Sequence, residues 1–406
     1  MNTSKTQLLI TFLIILSFYK LNAQNKNEIE WANKGSVTQN NYITEIPFNY
    51  IDGYIFIDII QNSKTYNFLF DTGAEATVID KSIIKEFDIK SAIKSKVSGP
   101  LIENQNVNTI LISSLHISEI EFVNTGAIAI DLNFSKSKFC KKLDGIIGNN
   151  LMKKANWQID YQNKKIRFSD DLSKFNLTKR EHKIKMSLKN HGFGTETVAL
   201  NIDGIKSNFN LDTGSGRSKF VAPPKEFKKL VKNNKNTSLK YGLSKSNTDY
   251  KVITENIIIG DIILKNQIVN LENEVGKFKL VGNRFLENYL VTIDWKNHFL
   301  YLMEKKDIIP EKLFDFKLNF TPNFKTNKIE VKTGLKKFTT ENEIKKGTIL
   351  SHINGINITD LSDNDFCMFW NSTWKEIMKM NTINITLLHE GKYNKYVLIK
   401  EDLLML

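Results

Sequence analysis

Cysteine is scarce in this sequence: Cys140 and Cys367 are the two in 406 residues. Two thiols cannot build a disulfide scaffold or a four-cysteine zinc site. Proline is scarce too, with six residues, so no proline-rich linker divides the chain. The six histidines show no metal-ligand spacing. His182 and His191 read as surface or capping residues, and no His-Glu-x-x-His occurs. No Gly-x-Ser-x-Gly elbow and no phosphate-binding glycine loop is present. Neither a metal nor a cofactor is therefore expected. Acids are outnumbered, 44 against 57 Lys+Arg, for a net charge of +13. A nucleic-acid site would need those cations clustered and interleaved with aromatics. Here they are spread along the chain, and the densest stretch, Lys225 to Lys240, is interleaved with Asn and Leu. The charge reads as a solvated surface, with no nucleic-acid partner.

One apolar run exists, near the start. Lys5 precedes Leu8 to Phe18, and Leu21-Asn22-Ala23-Gln24 follows. A positive start, a short apolar core and a small residue at the cut describe a secretory signal, with cleavage after Ala23. The run is too short for a comfortable membrane span, and no later one is long enough. The expectation is an exported protein, periplasmic or secreted, without a stable membrane span. Cys140 and Cys367 could pair in such an oxidising setting. They fall in regions assigned to different domains, so the expectation is two free buried thiols.

The chain contains an approximate duplication. Phe68-Leu69-Phe70-Asp71-Thr72-Gly73-Ala74 resembles Phe209-Asn210-Leu211-Asp212-Thr213-Gly214-Ser215, at an offset of 141. Gly145-Ile146-Ile147-Gly148-Asn149 resembles Lys279-Leu280-Val281-Gly282-Asn283, and Trp157-Gln158-Ile159-Asp160 resembles Val291-Thr292-Ile293-Asp294, both at 134. Three blocks in one order describe two related lobes. The local pattern is β: Tyr54 to Ile60 and Val198 to Asp203 precede the strands that run into each Asp-Thr-Gly, and Ile166–Phe168 and Phe299–Leu302 close the lobes. A short helical pattern covers Pro224 to Lys232. Past about Pro310 the pattern changes. Strand-like Lys328–Val331 is followed by Gly347 to Gly355, a helix over Leu361 to Met380 opened by a Ser362/Asp365 capping box, and two strands, Thr382–His389 and Tyr393–Lys400.

An Asp that ends an apolar strand and precedes Thr-Gly is held by backbone geometry at a sharp turn. One such turn is commonplace. Two, at matching places in related lobes, meet near the pseudo-twofold axis, which sets Asp71 opposite Asp212. Two carboxylates at close range share a proton, since both cannot ionise easily. The ionised member can take a proton from water while the protonated member hydrogen-bonds a carbonyl.

Phe-Asp-Thr-Gly-Ala with the later Ile-Ile-Gly-Asn, and Leu-Asp-Thr-Gly-Ser in the second copy, resemble retropepsin-like aspartic proteases over residues 45–305. The resemblance implies a mainly β, bilobal acid-protease β-barrel fold with both lobes in one chain. It implies catalytic Asp71 and Asp212, with Thr72 and Thr213 interlocked beneath them. Gly73 and Gly214 would shape the loops, and Gly148 and Gly282 would mark the strands crossing behind each Asp. The family's glycine-bearing flap has candidates at Ser98-Gly99-Pro100 and Tyr241-Gly242-Leu243. Ala74 against Ser215 makes the lobes unequal. The stretch Lys346 to Ile356 resembles PDZ domains, with Thr348 in place of their usual Asp. Lys332-Thr333-Gly334-Leu335 is its candidate carboxylate-binding loop, which would capture a peptide C-terminus by strand addition; a packing role is the alternative. The expected organisation is a signal at 1–23, lobes at 24–175 and 176–310, and a small α+β PDZ-like domain at 311–406.

The expected activity is endopeptidase hydrolysis of peptide or protein substrates by a monomer. An inactive protease-like scaffold that binds peptides is the alternative, and lobes pairing between chains is a third reading.

Overall fold

The computed structural model describes residues 30–402, apart from 32, 100–101, 140, 189–193, 233–236, 243–247, 306–313 and 346. The signal segment, Pro100, Cys140, His191, Leu243 and Lys346 lie outside the described residues. Strand β1 (Tyr54–Gln61) and β2 (Lys64–Phe70) are dominated by β-branched and aromatic residues. They pair across Asn62-Ser63, where both residues take positive φ, 50° and 60°. That left-handed turn matches the twist of a tight hairpin.

The next strands are β3 (Thr77–Asp80), β4 (Ile89–Gly99), β5 (Ile102–Ile117), β6 (Ile120–Ile130) and β7 (Gly145–Ile147). Their sheet runs β1-β2-β7-β3-β6-β5-β4. The second half supplies β8 (Glu196–Ile202), β9 (Ile205–Asp212), β10 (Phe220–Ala222), β11 (Thr237–Tyr241), β12 (Asp249–Ile259), β13 (Ile262–Leu271) and β14 (Leu280–Gly282). These run β8-β9-β14-β10-β13-β12-β11, the first order repeated strand for strand. A further pairing of β12 with β8, Leu200 opposite Ile259, curls this sheet toward a barrel. The fold is mainly β with barrel-like sheets, as an acid-protease architecture requires.

The third matched block joins the halves. Asn156–Asp160 lies antiparallel to Tyr289–Asp294 with Gln158 opposite Thr292. The Gln158 amide donates to the Thr292 hydroxyl at 2.9 Å. These two residues are themselves equivalents at the 134 offset, so the pseudo-twofold axis of the repeat passes between them. Lys165–Ser169 and Ile43–Pro47 extend this platform on one side, Phe299–Glu304 and His182–Leu188 on the other. Trp157 is fully buried there. It stacks on Phe168 at 4.5 Å, and its indole N–H donates to the Met152 carbonyl at 2.7 Å.

Beyond residue 313 a separate core forms. Leu318–Asn323, Lys328–Gly334, Ile349–Ile353, Thr382–His389 and Lys392–Ile399 make an antiparallel sheet in the order first, second, third, fourth, fifth. Phe366, Phe369, Trp370, Trp374 and Ile377 from the helical segment pack on Leu318, Val331, Leu350 and Ile385. That segment is shorter than the sequence suggests. It runs as Asp363–Met368 and Trp374–Ile377 with a π-turn, Phe369–Thr373, between them. Its start is as expected, for the Ser362 side chain accepts the Asp365 N–H. Helix at 224–232 is reduced to Lys228–Lys232, because Pro223 and Pro224 lead into a turn closed by Glu226 N–H on the Pro223 carbonyl.

The expectation of two free thiols is overturned. Cys367 is disulfide-bonded, and no free cysteine occurs among the described residues. The other cysteine of the sequence, Cys140, lies outside them. The expectation rested on treating the C-terminal module as remote. Instead the short helix Lys136–Phe139 packs against Leu318–Asn323, so the first half and the module meet.

Candidate active site

Phe68, Leu69 and Phe70 are all fully buried, which drives the end of β2 into the interior. Parallel pairing with β7 continues past it, since the Asp71 N–H donates to Ile147 O at 3.1 Å. The chain then turns. Asp71 Oδ1 accepts the N–H groups of Gly73 (2.7 Å) and Ala74 (3.2 Å). In the second half β9 runs beside β14 with Asp212 opposite Gly282, and Asp212 Oδ1 accepts the Gly214 N–H at 2.8 Å. Both carboxylates are buried, at 0% and 1% exposure.

The two turns lock into each other. The Thr72 hydroxyl donates to Leu211 O at 2.8 Å and accepts the Thr213 N–H at 3.0 Å. Reciprocally, the Thr213 hydroxyl donates to Phe70 O at 2.8 Å and accepts the Thr72 N–H at 2.9 Å. A Cβ on Gly73 would collide with the Asp212 carboxylate, and one on Gly214 with that of Asp71. Each glycine thus makes room for the opposite acid. Gly148 and Gly282 lie behind the turns, where a Cβ would strike the backbone of Ala76 or of Ser215 and Ser218. The structure brings together every residue of the expected pair and its support.

Three contributors were missed. Asn149 and Asn283 follow the two supporting glycines. Their amides donate to Thr72 O (2.7 Å) and Thr213 O (2.6 Å), pinning both turns from behind. Their matching places in the second repeated block were the available signal. In the sequence Tyr54 is marked only as one β-former of a strand. It is buried beside the pair, and its hydroxyl feels the charges of Arg217, Asp212, Asp52 and Asp71, with burial pushing its pKa up to about 12.

The expected flap residues fall at hairpins. Gly99 ends β4 and pairs with Ile102 at the turn into β5. Tyr241 ends β11, and the adjoining Gly242 donates its N–H to Gly334 O at 3.0 Å. The second hairpin is therefore bound to the C-terminal module. Leu335 N–H donates to Lys317 O at 2.8 Å, so the loop expected to capture a peptide carboxylate is engaged within the chain.

Burial raises the pKa of Asp71 well above the ordinary carboxylate range, and the neighbouring Asp212 charge raises it further. The Gly73 and Ala74 N–H groups oppose this without cancelling it. The Asp212 side chain beside it also favours the protonated form of Asp71. The folded chain keeps that proton at pH values where the unfolded chain has lost it. This stabilisation is complete below the unfolded pKa, about 4, and is lost as pH rises through the raised folded value. Urea melts from about pH 4 to pH 8 are expected to show stability falling less in Asp71→Asn than in the parent. Equal pH dependence in the two proteins would contradict the raised pKa.

No curated protein matches the chain. A family model described as aspartyl protease matches residues 57–151, which include Asp71, its turn and Gly148. Over that segment the chain is similar to aspartyl proteases, and the similarity supports a protease-type hydrolase.

Proposed function

We propose that the protein is an aspartic endopeptidase whose two lobes bring Asp71 and Asp212 together to activate water. The observation that carries this reading is the contact of two buried carboxyls on reciprocally interlocked turns, with the pKa of Asp71 raised. The ionised carboxylate takes a proton from water as the oxygen adds to the peptide carbonyl. The protonated carboxyl donates to the carbonyl oxygen, giving a neutral gem-diol. Collapse breaks the C–N bond, and the amine leaves with a proton from the pair. One shared proton serves both halves of the cycle. Against the inactive scaffold stands the intact Asp-Thr-Gly in both halves, since a cleft that only binds peptides would not need both carboxylates.

Residues 314–402 are read as the PDZ-like module. With Gly334 and Leu335 engaged internally, its role in this proposal is to pack on the catalytic unit. Export accords with the disulfide at Cys367, since such bonds persist in oxidising compartments. The test is digestion of a mixed peptide library from acid to neutral pH, with and without a transition-state-mimicking aspartic-protease inhibitor. Internal cleavage that the inhibitor abolishes is expected. Peptide binding without cleavage at any pH would favour the inactive scaffold.

A further inference from the structure

Asp52 and Gly53 form the turn that enters β1, with positive φ of 53° and 86°. This Asp-Gly turn reaches into the second half. A Cβ on Gly53 would collide with the Gly216 carbonyl, and the Gly53 carbonyl accepts the Asn283 amide at 2.7 Å. The same amide holds Thr213, so the turn is tied directly to the loop that carries Asp212. Two cations converge on it. Arg217, five residues past Asp212, lies 3.9 Å from the Asp52 carboxylate. Lys375, on the helix Trp374–Ile377 of the C-terminal module, lies 3.0 Å from its other oxygen.

Further bonds hold the module that carries this lysine against the second half. Besides the Gly242–Gly334 bond, the Thr339 hydroxyl donates to Gly242 O at 3.1 Å and Lys336 Nζ donates to the Thr248 hydroxyl at 2.7 Å. Two cations against one carboxylate leave the node positive. The side chains of Arg217 and Lys375 are 38% and 44% exposed, so the surplus charge faces solvent. Tyr54, buried next to the acid pair, feels both Arg217 and Asp52, which sets the node at the edge of the reacting site.

We propose that Arg217 and Lys375 form a cationic specificity subsite, completed by the C-terminal module, that selects peptide substrates carrying an acidic side chain near the scissile bond. This rests on the endopeptidase reading and names its substrate class. A partly exposed ion pair contributes modestly, so selection should be about fivefold and should fade with added salt.

The experiment uses matched peptides that differ by Glu or Gln at each position flanking a cleaved bond. With the parent protein, kcat/KM should favour Glu at one position by about fivefold, through KM, and less at high salt. Lys375→Glu should abolish or invert the Glu/Gln ratio, and Lys375→Gln should reduce it. Because the ratio is taken within each variant, a general loss of activity does not mimic the effect. The same fluorescent peptides are titrated against Asp71→Asn protein with and without Lys375→Glu. That arm reads selection by binding alone, so it stands even if hydrolysis is not observed. No Glu preference in either arm, or a preference untouched by Lys375→Glu, would overturn the proposal. An intact binding preference without hydrolysis would instead overturn the endopeptidase reading.

Discussion

Asp71→Asn and Asp212→Asn are each expected to lower peptide hydrolysis by on the order of 10² to 10⁴-fold, the range for a lost general acid–base group. The substitutions are nearly isosteric. The remaining amide oxygen can still accept the Gly73 or Gly214 N–H that now reaches Oδ1. The threonine interlock uses hydroxyls and backbone groups of other residues, so it survives. Folding should be preserved, as judged by near-ultraviolet circular dichroism and a cooperative melt. The double variant should lose little more than either single one, because the two acids act as one unit. Initial rates on a peptide cleaved by the parent check this. Near-full activity in either single variant would refute the shared-proton mechanism.

Gly73→Ala and Gly214→Ala are expected to be almost as damaging without altering any titratable group. The added methyl would occupy the space of the opposing carboxylate. That carboxylate is short and is tethered to its own turn by a backbone N–H, so it cannot swing clear cheaply. The acids must move apart, and a misplacement of about 1 Å can cost about 10²-fold in rate. The loss should appear mainly in kcat, since the added methyl meets the acid pair itself. Stability offers a second readout. Separating the acids relieves their repulsion, so the pH dependence of unfolding should weaken along with activity. Unimpaired hydrolysis in both alanine variants would mean that the carboxylates do not meet as described.

The sequence disclosed the acid pair because its signal is local and repeated. Asp71 and Asp212 sit in seven-residue blocks, and Gly148 and Gly282 in blocks of their own. Each reports its place without knowledge of the other half. The β-strands were legible for the same reason, since apolar and β-branched runs bounded by turns decide them locally. What stayed hidden joins distant segments. The Asn283 amide reaches Gly53 across 230 residues, and no pattern within either block announces it. Lys375 resembles any solvated lysine until its helix is docked beside Asp52. Cys367 escaped for the same reason, because nothing in the sequence around it signals that it is disulfide-bonded.

The reciprocal threonine bonds and the strand platform across the axis have a topological consequence. Every group that completes one carboxylate turn from outside its own half comes from the other half. The bonds themselves do not record which molecule supplies it. Two chains exchanging their second halves would rebuild both sites with the contacts already described, as in a domain-swapped dimer. What favours closure within one chain is the effective concentration set by the connecting segment, which for a short tether is in the millimolar range. The duplicated architecture therefore makes monomer and swapped dimer chemically equivalent at the acid pair, and chain connectivity decides between them.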